Sequence, residues 1–205
     1  MKLAVFGATG GTGKEIVTQA LEAGHEVTVL VRDPARLTVS HDKLYLVFGD
    51  VLNLEKVEET LAGSEAVCCS LGNTANNPDF VVSDGTQNII TAMQKQGIKR
   101  LVVVSALGVG DSREQVPLSF KMMMKTVLRK AYEDKERQEQ FVRESDLDWV
   151  IVRPGGLTNG SATGEYTAGL DPAIMSSQVA RADVAAFVLQ QLTDDTYLHQ
   201  TPAIT

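Results

Sequence analysis

Three glycines at intervals of three, Gly7, Gly10 and Gly13, stand in the stretch AVFGATGGTGKE, directly after an apolar run that ends at Phe6. Gly11 lies beside them, and Thr9 and Thr12 are interleaved, so the stretch carries little side-chain bulk and two hydroxyl donors. A turn of this kind lets backbone approach an anion closely. A helix starting at Gly11 would turn its unpaired N–H groups and the positive end of its dipole on the same anion. The pyrophosphate of a dinucleotide fits that chemistry. The spacing is G-x-x-G-x-x-G, not the better-known G-x-G-x-x-G, and it informs because it lies between a strand and an amphipathic helix.

A second set of residues would choose among dinucleotides. The next strand ends VLVRDPARL, which places Arg32 at the turn and Arg36 soon after. An acidic residue at that strand end would accept from ribose hydroxyls, whereas two guanidinium groups suit a 2′-phosphate. The expected cofactor is therefore NADPH/NADP. Asp33 either serves a ribose or caps the turn at Pro34. Asp50, in GDV, either accepts from an adenine amino group or caps the helix near Asn53, and Val51 would pack on the adenine ring. Leu71 and Gly72, in SLGN, would lie beside adenosine and pyrophosphate, where a large side chain would intrude. Pro154 should end the sixth strand, with Gly155 and Gly156 opening a loop over the nicotinamide.

These residues need a scaffold that brings strand ends together. Six strand-like runs (KLAVFG, HEVTVLVR, LYLVFGD, EAVCCSLG, KRLVVVSALG, LDWVIVRPGG) alternate with helical patterns. Continuous apolar strands indicate a parallel sheet covered on both faces, and the alternation indicates a doubly wound α/β fold of Rossmann type. Ligands in such sheets bind beyond the carboxyl ends of the strands where strand order reverses. Residues 117 to 145 hold no Gly and no interior Pro and read as one long helix. A short strand in GEYTAGL, a late helix in ARADVAAFVLQQL and a last strand in LHQTPAIT follow. No repeat or linker divides the 205 residues, so a single domain is expected, with about 155–205 covering the substrate side.

Bulk properties narrow the class. The net charge of −7 argues against a general nucleic-acid surface. No apolar run approaches a membrane span, and the N-terminus does not read as a signal peptide. Adjacent Cys68 and Cys69 would face opposite sides of a strand, too awkward for a disulfide, and read as small buried hydrophobes in a reducing, cytoplasmic setting. No Cys and His spacing suggests a metal site.

With these residues assembled, the chain resembles the atypical short-chain dehydrogenase/reductase family, the NAD(P)H-binding proteins with a GATG-x-TG opening. AVFGATGGTG, GHEVTVLVRDPARL, GDVLN, SDGTQNIITAMQKQGIKRLVVVSA, VRESDLDWVIVRPGG and TGEYTAGLD carry the likeness. VLVRD and TGEYT…LD point more narrowly to its flavin and biliverdin reductase branch. The resemblance implies hydride transfer from NADPH to a small planar acceptor, a flavin such as FMN or riboflavin or a bilin. It also implies that Ser105, at the end of the fifth strand, orients the nicotinamide or the acceptor. The expected molecule is a monomer with no nucleic-acid or membrane partner. The histidines of that branch's pocket have no counterpart at Lys135 and Gly156, which bears on bilin specificity.

Carbonyl reductases of the wider superfamily use a Ser, a Tyr and a Lys four residues after the Tyr. Ser105 and Lys135 match, but Ala131 stands where the Tyr belongs, and Tyr132 is turned by about 100° on a helix. The Tyr-Lys dyad is expected to be absent, which suits electrophilic acceptors that take a proton from water. Met122, Met123 and Met124 either fill core or lie under a flat ligand. Lys121, Lys125, Arg129 and Lys130 form a basic segment, either attracting substrate anions or facing solvent. Arg153 either pairs with an acid or reaches the cleft, and Asp183 caps the late helix, pairs with Arg181 or serves the site. Two other functions remain compatible with the sequence: a redox-sensing NADPH-binding protein without turnover, and a cofactor-retaining sugar epimerase or dehydratase.

Overall fold

The computed structural model describes residues 1–73 and 79–205. The chain runs β1 (Lys2–Phe6), α1 (Gly11–Glu22), β2 (Glu26–Val31), β3 (Leu44–Phe48), α2 (Leu54–Leu61), β4 (Ala66–Cys69), α3 (Val81–Gln96), β5 (Arg100–Val104), α4 (Leu118–Met124), α5 (Arg129–Arg143), β6 (Asp148–Pro154), β7 (Gly156–Thr158), β8 (Ala168–Gly169), β9 (Gln178–Ala180), α6 (Arg181–Gln190) and β10 (Ala203–Ile204). Short 3₁₀ helices occupy Pro34–Arg36 and Gly110–Gln115.

The main sheet has the order β3-β2-β1-β4-β5-β6-β10-β8. All its pairings are parallel except β10 with β8. Strand order reverses between β1 and β4, the place where a crevice opens in this topology. Alternate residues of each strand feed two cores. Leu3, Val5, Val102 and Val104 face α1 and α6, while Ala4, Phe6, Leu101 and Val103 face α2, α3 and α5. This is the doubly wound α/β architecture that the apolar runs imply. Cys68 and Cys69 fall in opposite cores as free thiols, and burial pushes the Cys68 thiol up to about 12.

Helix ends follow local chemistry. Gly24 and Gly97 close α1 and α3 with φ of +84° and +71°. Asn53 Oδ1 accepts from Lys56 N and caps α2. The long helix expected over 117–145 is two helices. Thr126 Oγ1 donates to the carbonyls of Met122 and Met123, and Leu128 N turns back to Met123 O, which ends α4. The strand expected in GEYTAGL shrinks to Ala168–Gly169, and β7 with β9 forms a small parallel sheet that the sequence pattern did not indicate.

Candidate functional site

The carboxyl ends of β1, β2, β4 and β5 surround a cleft of about 520 Å³. Its floor is the turn after β1. Gly7 has φ +84°, and a Cβ there would lie 2.3 Å from the Ser70 carbonyl oxygen. A Cβ on Gly13 would lie 2.1 Å from Gly7 O. Both positions are closed to any side chain, so the turn packs against β4 and α1 by bare backbone. Gly10 precedes α1 without a side-chain cap, and no acidic residue lies in the first turn. The leading N–H groups of α1 therefore have no internal acceptor and face the cleft.

Most of the expected residues meet here. Gly7, Thr9, Gly10, Gly11, Thr12, Arg32, Arg36, Asp50, Val51, Leu71, Gly72 and Ser105 all line the cleft. Gly13 does not; it supports the turn from behind. Pro154, Gly155 and Gly156 also stand outside the lining, contrary to expectation. Their backbone is already hydrogen-bonded within the protein: Pro154 O accepts from Leu107 N, Gly155 N donates to Ile204 O, and Gly156 N donates to Ser177 O. Leu157, one residue on, is the β7 side chain that reaches the cleft.

At the β2 end, Arg32 and Arg36 share the rim with two carboxylates. Asp33 Oδ1 accepts from Ala35 N, so it caps the turn at Pro34. Asp50 does not cap α2; its Oδ1 accepts from Leu52 N, and its Oδ2 lies 3.8 Å from Arg32 Nη1. Val51 nests over Gly85 of α3, where a Cβ would lie 2.6 Å from Val51 Cγ1.

At the β5 end, Ser105 Oγ donates to Glu139 Oε1 at 2.6 Å. Lys135 Nζ donates to Leu71 O, Val104 O and Gln138 Oε1 at 2.9, 2.7 and 2.9 Å, matching all three ammonium protons. Burial lowers its pKa, opposed by Cys69, Glu139 and Asp134. Tyr132 is absent from the lining. Its hydroxyl donates to Leu107 O at 3.2 Å, its ring meets Phe120 edge-on, and burial raises its pKa to about 12.

Several sequence alternatives resolve by contact. Arg153 pairs with acids: Glu139 receives its Nε and Nη2 at 3.0 and 2.7 Å, and Asp111 lies 2.7 Å from Nη2. Asp183 binds neither Arg181 nor its own helix end. It accepts from Thr163 N, Thr163 Oγ1 and Gly164 N. Met124 packs under Phe120 and Leu107, whereas Met122 is 66% exposed. Lys121, Arg129 and Lys130 pair with Glu114, Glu133 and Asp79 on the surface.

Sequence reasoning missed two features. Arg181 lines the cleft beside Gly11 although it lies far along the chain, and its only signal was a basic residue opening the late helix. The α5 face was the other. Asp134, Gln138 and Glu139 are buried as polar groups, so α5 shows no apolar stripe. Asp134 accepts from Val82 N and Ser83 N and so caps α3 from outside.

In a chain of net negative charge, four cations (Arg32, Arg36, Lys135, Arg181) and two carboxylates (Asp33, Asp50) line this cleft. The bare turn, the uncapped helix start and the excess positive charge fit a nucleotide with phosphates at two places. Fold and site together define a doubly wound nucleotide-binding protein. The chain belongs to the NAD(P)H-binding family, whose model matches residues 7–195. A chloroplastic protein of uncharacterised role from Arabidopsis thaliana is 30% identical over 203 residues, 95% of this chain and 72% of that one. The reductase PytE of Aspergillus terreus is 26% identical, covering 93% of this chain and 90% of its own. The solved structure of ChuY, an anaerobilin reductase from Escherichia coli O157:H7, matches with a TM-score of 0.84 at 25% identity, over 100% of this chain and 96% of that one. Among the described residues, no helix is long and apolar enough to cross a membrane, and no group of His, Cys, Asp and Glu could hold a metal ion.

Proposed function

We propose that this protein is a reductase that uses NADPH to reduce a flat conjugated acceptor, a flavin or a bilin. The observation that carries the reading is the pairing of two unlike ends in one cleft: Arg32 and Arg36 at the β2 rim, and a β5 wall with Ser105 and no tyrosine. When bound, the reduced nicotinamide supplies the hydride. The glycine turn and the first turn of α1 hold pyrophosphate, and the β2 arginines hold the 2′-phosphate. Ser105 commits its proton to Glu139 and turns lone pairs to the cleft, which suits it to accept from an amide rather than to protonate a product. Lys135 spends its protons on fixed carbonyls, so it holds β4 and β5 together at the site. With no side-chain acid positioned, the acceptor must be electrophilic already and protonated by water. Flavins and bilins meet that condition, and simple ketones do not. The likeness to ChuY supports a bilin, and the likeness to PytE supports reductase chemistry in general. The protein's two buried free thiols support a reducing setting such as the cytoplasm.

Steady-state oxidation of NADPH by the purified protein tests the reading, with FMN, riboflavin, biliverdin and quinones as acceptors and NADH as control. Turnover should appear with NADPH and a planar acceptor. No oxidation with any acceptor, despite tight NADPH binding, would overturn it in favour of a redox-sensing binding protein.

A further inference from the structure

Arg181 is the first residue of α6, and its side chain crosses the start of α1. A Cβ built on Gly11 would lie 2.6 Å from Arg181 Nε and 2.7 Å from its Cδ. The glycine thus makes room for the arginine as well as for a ligand. Nη1 donates to Asn159 Oδ1 at 2.6 Å, which fixes the guanidinium through a neutral acceptor. Asp183, two residues away, is fully engaged by Thr163 and Gly164. Among the described residues, no carboxylate forms an ion pair with Arg181. Its charge is therefore unspent, unlike that of Arg153, which Glu139 and Asp111 neutralise. Remaining guanidinium donors share the cleft with the uncapped N–H groups of α1.

We propose that Arg181, lying across the start of α1, donates to the dinucleotide pyrophosphate alongside the α1 N-terminus, making the C-terminal third of the chain part of cofactor binding. This rests on the dinucleotide reading of the cleft. The chemistry is charge-assisted hydrogen bonding to phosphate oxygens, for which a guanidinium held in place is suited. The pyrophosphate is common to NADPH and NADH, so the contact is blind to the 2′-phosphate. Arg181 and Arg32 should then separate cleanly by ligand.

Dissociation constants measured by calorimetry test this for NADPH, NADH and adenosine 2′-monophosphate, which carries the 2′-phosphate but no pyrophosphate. Arg181→Gln keeps a stem over Gly11 and removes the charge. It should weaken NADPH and NADH by a similar factor, about tenfold or more, and leave adenosine 2′-monophosphate within about twofold. Arg181→Lys should recover part of the loss. Gly11→Ala, which displaces the arginine without removing it, should weaken both dinucleotides too. Thermal melting of the ligand-free variants should match wild type. Unchanged dinucleotide affinity in Arg181→Gln would overturn the assignment, as would an equal loss for adenosine 2′-monophosphate. Wild-type protein that binds neither dinucleotide would overturn the reading of the cleft itself, and the assignment with it.

Discussion

Ser105 and Glu139 form one buried unit: the serine hydroxyl donates to Glu139 Oε1 at 2.6 Å, and the carboxylate is 1% exposed. Arg153 meets the same carboxylate with two donors, and Arg143 Nη2 adds a third at 3.0 Å. The carboxylate is thus held by charge on one side and positions a hydroxyl at the cleft wall on the other. Glu139→Gln keeps the shape and leaves Arg153 with Asp111 as its remaining partner. Removing one member of a buried pair is expensive, here about 3 kcal/mol. At roughly 2–4 °C per kcal/mol for a chain of this size, the melting temperature should fall by about 6–12 °C. Ser105→Ala should leave the Arg153–Glu139 pair intact and melt within a few degrees of wild type, while kcat/KM for the acceptor drops about tenfold. A large stability loss in Ser105→Ala with little loss of activity would contradict the division of roles.

Lys135 gives a pH signature. Burial lowers its pKa in the folded protein below the ordinary 10.5. Between the two values the unfolded chain holds a proton that the folded chain has released. Stability conferred by this group therefore rises with pH across that window. Lys135→Met lacks the group and should lack that rise. Chemical denaturation of both proteins at several pH values up to 10.5 reads the difference, in which the titration of groups remote from Lys135 cancels. Parallel curves would show that Lys135 is not desolvated.

Tyr132 has the reactive name but the wrong direction. Its hydroxyl is spent on Leu107 O, away from the cleft lining. Tyr132→Phe should cost about 1 kcal/mol of stability for one hydrogen bond and leave acceptor reduction within a few-fold of wild type. A collapse in kcat with folding intact would make Tyr132 an acid after all.

The fold was legible because parallel strands are buried on both faces and read as unbroken apolar runs, as in VVV of β5. The glycine turn was legible because backbone approach leaves a residue-type signature at Gly7 and Gly13. Glu139 and Arg153 were harder, since a polar group buried against another polar group leaves no hydrophobic period. AYEDKERQEQF looks solvated throughout, yet Asp134, Gln138 and Glu139 are buried. Arg181 was harder still: its neighbour Gly11 lies across the fold, and only three-dimensional packing joins them. The break at Thr126 and Val127 was missed because neither Gly nor Pro marks it. A hydroxyl competing for carbonyls ends α4 instead.

Cofactor choice rests on Arg32, whose Nη1 stands 3.8 Å from Asp50 Oδ2 with both side chains about half exposed. An exposed pair at that distance is worth little, so a ligand phosphate can compete with Asp50 for the guanidinium. A 2′-phosphate would draw charge-assisted hydrogen bonds worth about 1.5–3 kcal/mol, which is roughly a 10- to 150-fold effect. Arg32→Ala should raise KM for NADPH by that factor and hardly change KM for NADH. Asp50→Asn should move NADPH slightly the other way, since it removes a competing negative charge from the rim. Steady-state kinetics with both cofactors at fixed ionic strength gives the comparison, and raising the salt should shrink the NADPH effect. Equal losses for the two cofactors would mean that Arg32 supports the rim structurally and that the 2′-phosphate is held elsewhere.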